Sequence, residues 1–462
     1  LPRNITWNTP HPKTKTKERL IQMPHITNDP QFDLPKECDV VVIGGGIHGA
    51  SSAYYLAKAG MKVVLLEKDT IASHQSGRAW GFVRQQGRDP VELPLMIECN
   101  RIWQGLEKEL DADLEWRQGG VMFVARDDAE MAEFEQWIED AKGFDIETQV
   151  LDPKGVARIA PGITRPGVGG IYTPSDGQAE PKKAAPAIAK RAGELGAVVA
   201  EGCGAIGIET SGGAISSVIS ERGEIKCKYV ICAAGAATHK FVAKFGRRLP
   251  QQTTRGTVIR TTPVPEISAA GTLAAGLAFR QRADGSMNIA DEFMTDLDLT
   301  LGRFKYARDF APGLFANWAT FKFHLNRRFV DDLVDRLPGS AASKQPLIGR
   351  RENQAQPYEV RVNNAMANLQ KVFPQIKQVG IADKWAGDID VTPDAIPVID
   401  QFDNPKHFFV ATGFSGHGFA MGPVVGKVLA DWITTGQPSI TLAGMELSRF
   451  EDGTIRKPRT RV

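Results

Sequence analysis

One segment constrains this chain more than any other. The apolar run Asp39-Val40-Val41-Val42-Ile43 ends in Gly44-Gly45-Gly46-Ile47-His48-Gly49. A helix-like stretch from Ala50 to Ala59 follows, then a second apolar run, Lys62 to Leu66, closed by Glu67 and Lys68. Strand, glycine turn, helix, strand and acid, in that order, form the G-x-G-x-x-G unit that binds a dinucleotide. Gly44 permits the tight turn, Gly46 lets backbone N–H groups approach a pyrophosphate, and Gly49 lets the helix pack close to the sheet. The helix start at Ile47 and His48 supplies positive potential. Glu67 stands near the ~20-residue spacing at which an acid accepts from ribose hydroxyls.

The 462 residues suffice for two or three domains and a large core. A hydrophobic share of 42% and a charged share of 24% are ordinary for a globular chain. Net charge is +2, which gives no case for a nucleic-acid partner. The eight histidines fall in no metal-ligand pattern, so no metal site is expected. The five cysteines, Cys38, Cys99, Cys203, Cys227 and Cys232, form no C-x-x-C pair and point to a reducing, cytoplasmic setting. Cys227 and Cys232 flank a predicted strand and read as small core residues. No apolar run is long enough for a transmembrane helix. The basic, proline-bearing start lacks the apolar core of a secretory signal and reads as an extended arm.

The pattern predicts two interleaved domains, each visited more than once. After the arm, 1–36, a dinucleotide-binding domain takes 37–110, 176–250 and 381–440. A β-sheet-rich α+β substrate domain takes 111–175 and 251–380, and 441–462 is a tail. Helices are expected over 91–110, 127–143, Glu180 to Leu195 and Gly422 to Ile433. Strands are expected at 115–124, 256–261, Tyr229 to Ala236 and His407 to Gly413. The stretch 304–345 is an aromatic insertion: Phe304, Tyr306, Phe310, Phe315, Trp318, Phe321 and Phe323 alternate with basic residues. It is expected to form a substrate-domain lid or subunit interface rather than a membrane-docking face, and a homodimer stays open.

Five further segments share the motif's logic. The loop Ser73 to Gly81 contains Ser76, Gly77, Arg78, Ala79, Trp80 and Gly81. Ala205 and Ile206 open a predicted strand, and Cys232-Ala233-Ala234-Gly235 ends another in residues small enough to lie against a nucleotide. Trp385-Ala386-Gly387 leads into Thr392-Pro393-Asp394. Thr412-Gly413-Phe414-Ser415-Gly416-His417-Gly418-Phe419 opens a helix, whose free N–H groups and positive dipole end suit negative charge on a reduced flavin.

This set, in this order from about 37 to 435, resembles the D-amino-acid oxidase superfamily of FAD enzymes, which includes glycine oxidase, sarcosine oxidase and the amino-acid deaminases. The resemblance implies an α/β fold, a Rossmann-type FAD-binding domain interleaved with the substrate domain. Locally, Gly276 to Gly285 and Leu301 to Tyr306 look like the L-amino-acid deaminases, whereas Gly81-Phe82-Val83-Arg84-Gln85-Gln86 looks like sarcosine oxidase β-type chains. D-Amino-acid and glycine oxidases carry an arginine just after the W-A-G segment to hold the substrate carboxylate. Here those positions are Asp388-Ile389-Asp390. Another cation must serve: the deaminase resemblance implies Arg280, and Arg84 is the second candidate. Trp385 is expected in the cage over the flavin. His417 is a candidate ligand or base. No cysteine lies near Trp385 to Pro397, so FAD is expected to be bound non-covalently, with His74 as the remaining candidate for attachment.

The expected reaction is oxidation of the Cα–N bond of an L-amino acid, with apolar or aromatic side chains preferred. Hydride passes from Cα to flavin N5, and no strong side-chain base is needed if the amine reacts in its neutral form. The expected products are a 2-oxo acid, ammonia and hydrogen peroxide, with molecular oxygen as acceptor. The alternatives are an N-methyl-amino-acid (sarcosine-like) oxidase, a quinone-linked dehydrogenase, and a flavoprotein subunit without catalysis.

Overall fold

A computed structural model describes residues 26–27, 29, 31–291, 295–316, 318–351 and 355–457. Most of the predicted N-terminal arm lies outside the described residues. Ile26–Thr27 pairs in parallel with Val198–Ala200 at a sheet edge.

Val40–Ile43 is buried along its whole length, as a strand covered on both faces requires. It lies inside a seven-stranded sheet in the order Ile26–Thr27, Val198–Ala200, Val63–Leu66, Val40–Ile43, Tyr229–Cys232, Phe408–Thr412, Val398–Gln401. All neighbours are parallel except the last pair. The helix Ile47–Lys58 packs against the helices Pro181–Glu194 and Gly418–Thr435 on one face of this sheet. Two glycines set how closely. A Cβ on Gly49 would lie 1.8 Å from the Gly44 carbonyl oxygen, and one on Gly426 would lie 2.4 Å from the Ser51 backbone.

A second, ten-stranded mixed sheet stands beside the first. Its longest pairing joins Gln252–Thr261 to Ile381–Val391, antiparallel and in register from Gln252 opposite Val391. The helix Glu359–Val372 covers one face, and Phe279, Ile259, Leu369 and Phe373 form the core there. A three-stranded sheet, Ala205–Ser211, Ala214–Ser220 and Gly223–Lys226, buries Ile208, Ile215, Val218 and Ile225 in one cluster with Val41, Val64 and Val230 of the first sheet.

The aromatic insertion folds as the helices Leu301–Phe304, Ala307–Ala316, Arg327–Asp335 and Ala341–Lys344 with the strand Phe321–His324. That strand adds in parallel to Thr295–Asp298 at the edge of the ten-stranded sheet. Phe304, Phe315, Trp318 and Leu325 stay exposed. None of the described helices is long and apolar enough to cross a membrane.

Candidate functional site

The parallel strands end at one place. Ile43, Leu66, Ala233 and Thr412 sit at or just past the C-terminal ends of four neighbouring strands, and all line one cavity of about 1840 Å³. Open parallel sheets bind ligands at this edge. The volume exceeds the ~300–1,000 Å³ of a pocket for one drug-sized ligand and accommodates a large cofactor together with a substrate.

The glycine turn is held by the acid the sequence singled out. Glu67 accepts from Gly45 N at 2.6 Å and from Asp69 N at 2.8 Å. Each carboxylate oxygen keeps a lone pair for a hydroxyl. Burial raises the Glu67 pKa, against the pull of the two N–H donors. Ser76 Oγ accepts from Ile47 N at 2.9 Å, which fixes the 73–81 loop over the helix start. His74 pairs with Asp69 at 2.7 Å, so its ring is engaged beside the Glu67 turn.

Four residues that line the cavity carry a buried side-chain atom with no hydrogen-bond partner among the described residues: His48 Nε2, Ser73 Oγ, Arg88 Nη1 and His417 Nε2. Buried polar groups are rarely left unsatisfied, so this cavity calls for a polar occupant. The wall also presents Gly44, Gly46, Glu67, Lys68, Ala205, Ala234, Gly235 and Gly387. The start of the helix Ile47–Lys58, whose N-cap is Gly46 and makes no side-chain cap, lies at the same edge and brings its positive dipole end there. These features fit a dinucleotide lying along the strand ends.

The remaining expected cofactor residues divide. Ser76, Arg78, Ala79, Trp80, Gly81, Ser415, Gly416, Gly418 and Phe419 line the cavity. Ile47, Gly49, Gly77, Ile206, Trp385 and Gly413 do not. Gly49 and Gly77 are close-packing positions instead, since a Cβ on Gly77 would lie 2.3 Å from the Ala72 oxygen. Gly413 donates its N–H to buried Asp390 at 2.9 Å, which anchors the turn before the last helix.

Two expected site residues lie off the cavity wall. Arg280 does not line the cavity. It is 1% exposed, its Nη2 meets Glu180 Oε2 at 2.8 Å and its Nε donates to the Trp80 carbonyl. Arg282 Nη2 reaches the same Glu180 oxygen at 3.0 Å. The Arg280 charge is spent inside the protein, on the carboxylate that caps the helix Pro181–Glu194. Trp385 forms no part of the cavity wall either. Its indole N–H donates to the Arg78 carbonyl at 3.0 Å and Lys182 sits 4.7 Å over its ring. It acts one layer behind the wall, bracing Arg78.

Arg84 does line the cavity, and so does Arg88, which the sequence reading missed. Arg84 packs 5.1 Å over the Phe123 ring of the ten-stranded sheet and donates to the Gln86 carbonyl. Arg88 Nε donates to the Arg84 carbonyl at 3.3 Å. Neither guanidinium has a carboxylate at ion-pair distance among the described residues. Burial lowers both pKa values, that of Arg88 to about 10. Asp176 stands nearby but spends its oxygens on Gln85 N at 2.8 Å and Gln86 N at 3.1 Å. Its burial raises the carboxyl to about 6.

At the start of the last helix, His417 Nδ1 lies 2.9 Å from Glu92 Oε1. Glu92 is fully buried and His417 is 3% exposed. Burial, and then Arg88, push the imidazole down to about 4 against the pull of Glu92. Burial alone would raise the Glu92 carboxyl, but His417 and Arg88 hold it below its usual value. The pair is therefore a carboxylate and a neutral imidazole.

Asp388, where an arginine was missed, is itself paired. Arg328 from the insertion reaches both its oxygens, one at 2.6 Å, and reaches Asp298 at 3.0 Å. Arg303, Asp298, Asp388 and Arg328 all line the cavity, beside an apolar wall of Phe304, Phe310, Leu314, Phe321 and Phe323.

A family model described as FAD dependent oxidoreductase matches residues 39–432. Human mitochondrial sarcosine dehydrogenase is 24% identical over 94% of this chain, which spans only 44% of that protein's length. The sarcosine oxidase β subunit of an Arthrobacter species is 24% identical, with 90% of this chain and 92% of the subunit covered. Among solved structures, L-amino acid deaminase from Proteus myxofaciens in complex with anthranilate superposes with a TM-score of 0.83 at 25% identity, covering 92% of this chain and 96% of its own.

Proposed function

The chain belongs to the FAD-dependent oxidoreductase family, and we propose that within it this protein oxidises the Cα–N bond of L-amino acids that carry apolar or aromatic side chains. The observation that carries this reading is the pair of guanidiniums on the cavity wall, half-buried Arg84 and buried Arg88, neither with a carboxylate at ion-pair distance among the described residues. A substrate carboxylate is the group they lack. A charge-assisted hydrogen bond to it is short and strong in a desolvated site.

FAD, when bound, supplies the hydride acceptor. The chain's own residues bind, orient and exclude water. Gly44, Gly46, Ser76 and Glu67 hold the dinucleotide at the strand ends, without a covalent bond. Arg84 and Arg88 fix the carboxylate, and the apolar wall from Phe304 to Phe323 takes the side chain. Fixing both ends leaves Cα one orientation, so the rate gain is positional and the handedness follows from which side the carboxylate is held. Water then hydrolyses the imine to a 2-oxo acid and ammonia, and oxygen is the proposed final acceptor.

The sequence relatives favour a second reading, an N-methyl amino acid as substrate. The same carboxylate anchor serves it, and the product separates the two: formaldehyde from an N-methyl group, ammonia from a primary amine. The test is an anaerobic panel of amino acids, both enantiomers and sarcosine, read by loss of oxidised-flavin colour. Bleaching by carboxylate-bearing amines supports the reading, and failure of every one of them contradicts it.

A further inference from the structure

Just after the aromatic insertion, the chain returns to the cofactor edge. Leu347, Ile348, Gly349 and Arg350 line the cavity together with Glu67, Lys68, Gly204 and Ala205. Two side chains tie this segment to the residues that follow Glu67, the acid placed to accept from a ribose. Lys68 Nζ donates to the Ile348 carbonyl and to the Arg350 carbonyl, each at 3.2 Å. Arg351 Nη1 lies 3.6 Å from Asp69 Oδ1, and its Nη2 donates to Glu221. The same Glu221 oxygen accepts from Gly204 N at 2.7 Å.

The segment also reaches the other flank of the glycine turn. A Cβ on Gly349 would lie 3.0 Å from Lys240 Nζ, so this glycine lets the chain pass close to the helix Thr238–Ala243. Lys68 follows the strand Val63–Leu66 and Lys240 follows Tyr229–Cys232. Those strands are the two parallel neighbours of Val40–Ile43, the strand that carries the glycine turn. The segment therefore bridges both neighbours at the edge where the cavity lies. Leu347, 4% exposed, roots it in the buried cluster that holds Val41, Val64, Val230 and Phe241. Arg350 ties it back to the helix Arg327–Asp335, reaching Asp331 at 2.8 Å and Asp335 at 2.9 Å.

From this geometry we propose that residues 347–351 form a clasp over the ribose end of the FAD site, with Lys68 as its peg rather than a ligand of the cofactor. The inference needs FAD alone and holds for any amine substrate. Lys68 spends two of its three donors on backbone carbonyls of the clasp. Covering Glu67 keeps water from the hydrogen bonds that it makes to a ribose, and in the lower local dielectric those bonds are stronger. The clasp has to move before the cofactor enters or leaves, so it slows both steps. Lys68 and Arg351 are positioning residues that act through the segment they hold.

The test measures the two steps separately for the parent, Arg351→Met and Lys68→Met. Release is followed after dilution of the FAD-loaded protein, and uptake after FAD is added to the stripped protein, with the bound-flavin absorbance spectrum as the check on the site. Arg351, Asp69 and Glu221 do not line the cavity, so a change at Arg351 reaches the cofactor only through the segment. Both variants are expected to release FAD about tenfold faster, the scale of one hydrogen bond to a charged group, and to take it up faster as well. Unchanged rates in Arg351→Met overturn the proposal. Faster release with uptake at the parent rate in Lys68→Met also overturns it, because a lost ligand contact acts mainly on dissociation. If a variant does not fold, the parent decides by trypsin cleavage after Arg350 or Arg351, compared with cleavage after Arg327, whose side chain is 90% exposed. Bound FAD should protect the clasp and leave the Arg327 site unchanged, and equal protection at both sites overturns the clasp.

Discussion

Replacing Arg84 by methionine removes the guanidinium, including its stacking over the Phe123 ring, while keeping an unbranched apolar stem. The proposed loss is one charge-assisted hydrogen-bonded contact to the substrate carboxylate. Contacts of this kind contribute about 1.5–3 kcal/mol. At about 1.4 kcal/mol per factor of ten, Arg84→Met should raise the substrate concentration for half-maximal bleaching by about 10- to 150-fold. The flavin spectrum should be unchanged, because Arg84 stands against the ten-stranded sheet and not at the glycine turn. Arg280→Met is the matched control. It leaves Glu180, 5% exposed, to Arg282 alone. Breaking a buried pair costs about 3–5 kcal/mol, so this variant should lose thermal stability far more than substrate affinity. The assay is anaerobic titration of flavin colour with substrate, alongside a thermal melt. If Arg280→Met raises the half-saturating concentration at unchanged melting temperature and Arg84→Met does not, the assignment of the carboxylate anchor is refuted.

The purified protein should be yellow and should release its colour into the supernatant on acid precipitation; colour that stays with the pellet contradicts non-covalent binding. Glu67→Ala should weaken FAD retention by about 1–3 kcal/mol, measured as the dissociation constant for FAD added to the stripped protein, because the variant removes both the hydroxyl acceptor and the brace on Gly45. Acid should destabilise the fold over a defined window. His417 and His48 are neutral when folded, with pKa values lowered to about 4 and about 3, and ordinary when unfolded. The unfolded chain therefore binds more protons below about pH 6.5, so their contribution is complete above that pH and is lost as pH falls towards 4. Melting temperature against pH should be shallower in His48→Phe across that window, and an unchanged slope would exclude His48 as a cause.

The cofactor unit was legible because it is local. Val40–Ile43, the glycine turn and Glu67 follow one another within thirty residues, and the contact from Glu67 to Gly45 closes inside that unit. The pairing of Arg280 was not legible, because its partner Glu180 lies one hundred residues earlier, on a helix cap that no motif marks. The placement of Trp385 was not legible for a related reason. The W-A-G strand does border the cavity at Gly387, but the indole points to the Arg78 carbonyl behind it. Arg88 is the one missed residue with a local signal, four positions after Arg84 on the same loop. Glu92 had none, since its partner His417 is 325 residues away. The Asp388 pairing with Arg328 spans the insertion and needed the parallel addition of Phe321–His324 to the sheet edge to be seen.

The central claim is that the cavity holds FAD and an amine bearing a carboxylate, with L-amino acids preferred. It is tested most directly by mixing the protein anaerobically with each enantiomer of phenylalanine, leucine, glutamine and arginine, and with sarcosine, while following flavin absorbance. The account predicts bleaching by the L-forms, fastest for phenylalanine and leucine, and ammonia with a 2-oxo acid on admission of air. Bleaching chiefly by D-forms or only by sarcosine contradicts the substrate assignment, and no bleaching by any of these amines contradicts the account as a whole.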